Sequence, residues 1–262
     1  MRPRFSRRNL LSGAVLALLA APVAGCGRFL RWVVRADNSG FDPVSYSFET
    51  SDLCALNAEA IRGPFYVPGT LVRRSIAEGH AGAPLRVRFR VVDVAGCRPL
   101  EGMAVEIWHC DAKGAYSGYP SYPPDEFPRV QPEGFYEPED DERFCRGVQF
   151  SDAGGFVEFE TIVPGWYTPR TPHIHVRVST PGSSELAPDD ERLVLTNQVY
   201  FPDELIARIF AGEAPYTERG PSPYTNANDF VIHESGGADG GFLRMSRDGR
   251  WHVATLTLGV PA

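Results

Sequence analysis

No pair of cysteines in this 262-residue chain stands at Cys-x-x-Cys spacing, no apolar run is long enough to cross a bilayer as a mature helix, and no block repeats. The first absence weighs against a structural zinc site, which is usually built on such pairs. The second excludes an ordinary transmembrane helix, which needs about 20 apolar residues. Positive charge is also scarce, with 26 Lys and Arg against 33 Asp and Glu and a net charge of −7. An acidic surface argues against nucleic acid as a partner. The acidic run Glu137-Pro138-Glu139-Asp140-Asp141-Glu142 lacks the glycine-punctuated loop of a calcium hand and reads as a solvated loop.

The longest apolar run, Leu10–Ala21, follows Arg2, Arg4, Arg7 and Arg8 and has the shape of an export signal. Within it, Ser6-Arg7-Arg8-Asn9-Leu10-Leu11 resembles a twin-arginine motif. Val23-Ala24-Gly25-Cys26 resembles a lipobox, in which Cys26 is lipidated and anchors the chain to a membrane. The alternative is cleavage nearby by an ordinary peptidase, with Cys26 left as a free thiol. Removal of residues 1–25 leaves 22 basic residues against 33 acidic ones, a balance of −11. It also leaves Cys54, Cys97, Cys110 and Cys145, an even number in an oxidising compartment, which reads as two disulfides with three connectivities open.

The expected organisation is an export signal over 1–25, an N-terminal linker over 26–59 and a single β domain over 60–262. With 26 Gly and 23 Pro the chain is too rich in turn formers for a helical fold. Leu85–Val91 alternates apolar and charged residues, the pattern of a strand with one face on a core and one in water. Met103–Trp108, Gly155–Thr161, His173–Val178, Leu193–Phe201 and Trp251–Leu258 read as further strands. Leu205, Ile206, Ile209 and Phe210 stand at helical spacing, and Gly236–Gly241 reads as a turn. The class is mainly β: an antiparallel β-sandwich with one short helix and long loops between Ala112 and Arg143 and between Val163 and Pro172.

Thr171-Pro172-His173-Ile174-His175 is the sharpest local signal. Residues two apart on a strand share a face, so His173 and His175 can present two imidazoles to one metal. Alone, such a pair could simply sit on a solvated strand. Tyr167 lies six residues earlier, in a loop that Pro164 and Gly165 constrain, and Tyr116 follows the strand ending at Trp108. Two phenolates and two imidazoles form a donor set that suits iron in the +3 state.

In these residues the chain resembles the intradiol ring-cleavage dioxygenases, the family of catechol 1,2-dioxygenase and protocatechuate 3,4-dioxygenase. The resemblance runs over about 60–202, through Gly63-Pro64-Phe65-Tyr66, the segment Pro99 to Ala112, and Gln198-Val199-Tyr200-Phe201. It implies Fe(3+) held by Tyr116, Tyr167, His173 and His175. Tyr116 is preferred to Tyr119, Tyr122 and Tyr136 by its offset from Trp108, and those three read as loop-packing or substrate-wall residues. It further implies that a small aromatic diol takes the place of Tyr167, and that O2 opens the ring between the hydroxyls to a muconate-type product. Arg170 and Gln198 would position and stabilise the activated substrate. Arg146-Gly147-Val148-Gln149 resembles the family's strand entry, with a structural role. Only five residues separate Tyr167 from His173, fewer than in the family's well-known members, which implies a more open pocket and leaves the substrate unassigned. The export signal and the short loop resemble an extracytoplasmic branch of the family.

Two rival readings remain at this level. One is a catalytically silent, lipid-anchored sandwich that binds iron or aromatics. The other is a copper or zinc enzyme using the histidines with a carboxylate. His80, His109, His233 and His252 show no partner pattern and read as surface or packing histidines.

Overall fold

The computed structural model describes residues 56–126, 135–180, 193–234 and 241–261. The segment expected to be an export signal, Cys26, Cys54, most of the expected linker and nearly all of the expected turn at 236–241 lie outside them. Among the described residues nine strands form two sheets. The first runs β2 (Arg98–Pro99), β1 (Pro84–Asp93), β9 (Trp251–Val260), β8 (Arg244–Asp248), and β5 (Phe156–Ile162) also pairs with β1. The second runs β4 (Arg146–Phe150), β3 (Ala104–Trp108), β6 (His173–Ser179), β7 (Leu193–Tyr200), antiparallel throughout. Leu85, Val87 and Phe89 of the first sheet share one core with Val105, Ile107, Ile174 and Val176 of the second. Burial of these side chains is the main driving force for closing the sandwich.

The expected class holds, with three refinements. β9 lies parallel to β1, so the first sheet is mixed. Parallel neighbours need a long crossover, and this chain provides one by leaving the first sheet at β5 and returning through β8. The expected helix is α1 (Asp203–Gly212), burying Ile206, Ile209 and Phe210. Two shorter helices, α2 (Tyr216–Arg219) and α3 (Phe230–Glu234), were not visible in the sequence pattern. They have four and five residues, too few to display a period. Finally, the polar faces are not all in water: Arg88, expected at the solvent face of β1, is buried against Glu158, its cross-strand partner on β5.

The cysteine expectation needs correction. Cys110 and Cys145 are both free, buried thiols. The Cys110 thiol donates to the Gly165 carbonyl at 3.4 Å, and Cys145 receives the Thr161 hydroxyl at 4.0 Å. Burial raises the Cys110 pKa and pushes that of Cys145 up to about 12, so neither thiolate forms readily. At most one of the two expected bridges remains, with Cys97, between β1 and β2, as one end.

The site is positioned by the outer face of the second sheet. Residues directly opposite each other in antiparallel strands share a face. Arg146, Trp108, His175 and Gln198 therefore form one row across β4, β3, β6 and β7. An adjacent row contains Glu106 and Arg177, both buried, with Nη1 and Oε2 3.9 Å apart. Phe65, Tyr66 and Val67 pack over this face together with Tyr116, Tyr119 and Tyr167. Water is thereby kept from a surface that alternation alone would leave wet.

Candidate active site

His173 and His175 both project from β6 onto that covered face. Thr171 O lies 2.7 Å from His173 Nδ1, which therefore carries the hydrogen and leaves the Nε2 lone pair free. His175 lies flat on Trp108, with ring centroids 4.7 Å apart and planes 3° apart. Gly63 closes the other side: a Cβ there would lie 3.1 Å from His175 Cε1, and its φ of +77° also suits glycine.

Three contacts of 3.2 Å string four donor atoms together: Tyr167 OH to His173 Nε2, His173 Nε2 to His175 Nε2, and His175 Nε2 to Tyr116 OH. Bonds of about 2.0–2.2 Å to a first-row metal set neighbouring donors roughly 3 Å apart, so the spacing suits a shared ion. The chemistry of the donors also fits. Burial holds both imidazoles neutral, with pKa values well below the usual histidine range. Burial also raises both phenols, Tyr116 well above its ordinary value and Tyr167 to about 12. Four neutral donors thus face one another, and a hard trivalent cation would displace the phenolic protons. Among the described residues no group of three or more His, Cys, Asp or Glu converges, so the rival site built from two histidines and a carboxylate lacks its third ligand.

Two loops deliver the tyrosines, and they are locked together. Asp111 Oδ1 accepts from the backbone N–H groups of Lys113 and Ala115, folding the turn that leads to Tyr116. Gly165 N donates to Asp111 O at 2.8 Å, joining this turn to the loop that carries Tyr167. Both contact points are glycines because the backbones touch. A Cβ on Gly114 would lie 2.3 Å from Trp166 O, and one on Gly165 2.5 Å from Ala112 O. Thr168–Pro169, a cis peptide, follows Tyr167 and leads to Arg170.

Arg170 is buried beside the donors. Its Nη1 lies 3.4 Å from His173 Nε2, and its Nη2 donates to Gln198 Oε1 at 2.6 Å. Gln198 also donates from Nε2 to Ile61 O and accepts from Tyr200 OH. Burial alone would lower the Arg170 pKa, but its coupling to the Tyr167 phenol and to the Asp229 carboxylate outweighs burial and keeps the guanidinium charged. All six residues expected from the sequence thus meet in one place. Three others shape the site: Arg146, for which the sequence implied only a structural role, and Phe65 and Asp229, for which it implied none. Phe65 stacks on Tyr116 with centroids 4.8 Å apart. Arg146 donates to Ser117 Oγ and Ser117 O, fixing the chain next to Tyr116. Asp229 Oδ2 accepts from Arg170 Nε at 2.8 Å. A buried arginine must find an acceptor, and that requirement is the signal that could have prompted a search for Asp229.

The remaining tyrosines divide. Tyr119 OH donates to Tyr66 O and Tyr136 O, a packing role. Tyr122 stacks on Tyr136 and, with Phe65, Tyr116, Tyr119 and Tyr167, lines a cavity beside the phenols. The other four histidines stay away from the donor ring. His80 stacks on Phe144, His233 bonds Ala227 O and His252 bonds Arg247.

His109 is buried between Cys110 O at 2.7 Å and Thr161 Oγ1 at 2.9 Å, and burial lowers its pKa to about 4. The unfolded chain, with an ordinary value near 6.5, binds the proton more readily. The neutral form therefore stabilises the fold fully above pH ~6.5, and this contribution, about 3 kcal/mol, is lost as pH falls from there towards 4. Denaturant melts across that window are expected to show the slope in the native protein and a shallower one in His109→Gln. Equal slopes would remove His109 as the cause.

The fold and the site by themselves define a class: a β-sandwich with a buried two-tyrosine, two-histidine centre. The family model described as Dioxygenase matches residues 61–214, and the chain belongs to the intradiol ring-cleavage dioxygenase family. It is 27% identical over 202 residues to a catechol 1,2-dioxygenase of Candida albicans, covering 67% of this chain and 54% of that one. It is 32% identical over 153 residues to a catechol 1,2-dioxygenase of a Pseudomonas species, covering 48% and 43% respectively. The chain thus spans about half the length of these relatives. Among solved structures, an intradiol ring-cleavage dioxygenase from Tetranychus urticae superposes with a TM-score of 0.69 at 30% identity, covering 79% of this chain and 95% of that one.

Proposed function

We propose that this protein is a ferric, non-haem dioxygenase that opens a catechol-type ring between its two hydroxyls with O2 to give a muconate-type dicarboxylate. The observation that carries the reading is the ring of four donors, Tyr116, Tyr167, His173 and His175, linked by 3.2 Å contacts beside a buried arginine. When bound, ferric iron would supply the Lewis acidity that draws both catechol protons off and activates the ring. The protein's residues do the rest. His173 and His175, held by Thr171 O and by Trp108, present their Nε2 atoms without rearrangement. Tyr167 meets Phe65 only edge-on, with centroids 6.3 Å apart, and would be the phenol that yields its place to a substrate oxygen and takes up a proton. Tyr116 is packed under Phe65 and stays. Arg170 holds positive charge in a water-poor setting, where it would offset negative charge spreading over the substrate ring. Phe65, Tyr119 and Tyr122 give an aromatic wall suited to a flat ring.

The deciding experiment is a visible spectrum of the ferric-loaded soluble domain, with and without catechol, alongside oxygen uptake. A broad phenolate-to-iron band that shifts with catechol, with oxygen consumed and a muconate formed, is the expected result. Colour without uptake would favour the silent binding protein, and no colour after ferric loading would remove the iron–tyrosine centre. The same proposal places the protein in the cell envelope, lipid-anchored through Cys26, on the strength of the N-terminal motifs. Recovery of the full-length chain from the cytosol would contradict that part.

A further inference from the structure

Asp229 lies beyond the family match, which ends at residue 214, yet it reaches the centre of the site. Its side chain is wholly buried. Oδ2 accepts from Arg170 Nε at 2.8 Å and from Thr171 N at 3.0 Å, two residues before the first histidine. Oδ1 accepts from Val231 N at 3.0 Å and Ile232 N at 3.3 Å, which ties the carboxylate to the start of α3. Phe230 lies next to the guanidinium, its ring centre 5.5 Å from Arg170 Cζ.

Arg170 is therefore held from three directions: Asp229 at Nε, Gln198 at Nη2 and Phe230 at the face. Nη1 is the nitrogen left pointing at the donor ring, 3.4 Å from His173 Nε2. A guanidinium has a flexible stem, and the direction of its free edge decides what it can stabilise. Without Asp229 the Nε edge would be unheld and free to swing against the remaining contacts with Gln198 and Phe230. The buried carboxylate removes that freedom and compensates a charge that would otherwise be stranded.

We propose that Asp229 is a positioning residue for ring cleavage: it aims Arg170 at the substrate, so that the chain after residue 214 belongs to the catalytic unit. This rests on the dioxygenase reading above. Asp229 would touch neither substrate nor metal; its influence on turnover would pass through Arg170, whereas its bond to Thr171 N, on the segment that holds His173, would act on iron content instead.

That dependence defines the test. Asp229→Asn keeps the shape and an oxygen for the α3 N–H groups but loses the charge and one acceptor. Ferric-loaded wild type, D229N, R170A and D229N/R170A would be compared for iron content, catechol affinity from the spectral shift, KM and kcat. The expected result for D229N is full iron content and catechol affinity within about 3-fold of wild type, with kcat lowered about 10- to 100-fold. In the R170A background the same change should lower kcat by no more than about 2-fold. An unchanged kcat in D229N, or equal losses in both backgrounds, would overturn the proposal, because a purely structural cap acts whether or not Arg170 is present. Should D229N fail to fold, Phe230→Leu, which loosens the guanidinium without touching the carboxylate, must show the same kcat loss and the same dependence on Arg170, or the proposal falls. Wild type that takes up iron but consumes no oxygen with catechol would instead sink the dioxygenase reading itself.

Discussion

Substituting alanine for His175 is expected to strip ferric iron and its visible band from the protein and to lower catechol cleavage by more than about 100-fold, beyond the range typical of residues behind the ligands. The geometry gives the reason. His175 Nε2 stands between two other donors, 3.2 Å from His173 Nε2 and 3.2 Å from Tyr116 OH, so its loss breaks the ring in the middle. No neighbour can substitute. Trp108, which stacks on the imidazole, offers only an indole N–H, and Gly63 on the other side has no side chain. The fold should tolerate the change better than the function. His175 Nδ1 is buried with no hydrogen-bond partner among the described residues, so removing the ring deletes an unsatisfied polar atom along with its packing. The matched control is Tyr119→Phe, which breaks the bonds to Tyr66 O and Tyr136 O but leaves every donor in place. It should lose stability and keep its colour. An H175A protein that retains one iron per chain and normal turnover would remove His175 from the centre.

The contrast between those two residues shows what could be read from the chain. His173 and His175 were legible because a strand has a period of two, and nothing distant is needed to put them on one face. Among the tyrosines, local physics could not choose. Tyr116, Tyr119, Tyr122 and Tyr136 all lie in loops without a period, and only the offset from Trp108 separated the first from the rest. What fixes Tyr116 is the union of its turn with the Tyr167 loop through Gly165 N and Asp111 O, a contact between distant segments. Asp229 was invisible for the same reason, since nothing near it in sequence reveals that its partner is Arg170. Among the strands, β8 escaped because Arg244–Asp248 is largely exposed and lacks alternation, as edge strands often do. The cysteines misled because parity records only their number, whereas Cys110 and Cys145 each have a buried neighbour other than sulfur.

The second large effect is expected from a single added methyl group. Gly114→Ala should lower stability by about 2–4 kcal/mol, equivalent to a fall in Tm of roughly 5–15 °C, and should weaken iron retention as well. The new Cβ would sit 2.3 Å from Trp166 O and 3.0 Å from Pro124 Cβ, with a backbone φ of +91° that disfavours any side chain. Neither neighbour can move away cheaply. Trp166 lies between Gly165, whose N–H is bonded to Asp111 O, and Tyr167, whose successor Thr168 donates to Pro124 O at 2.7 Å. Relief must come from separating the two loops, and that motion carries Tyr116 away from Tyr167. Stability and metal binding should therefore fall together, which distinguishes this variant from H175A, where metal is lost with less damage to the fold. Gly212→Ala provides the comparison: a Cβ added there, at the end of α1, would meet nothing within 4 Å, and the change should alter Tm and iron content little. If G114A melted with the wild type and kept its iron, the contact between the two loops would not be what brings the phenols together, and the convergence of Tyr116 and Tyr167 would have to come from their packing against Phe65 alone.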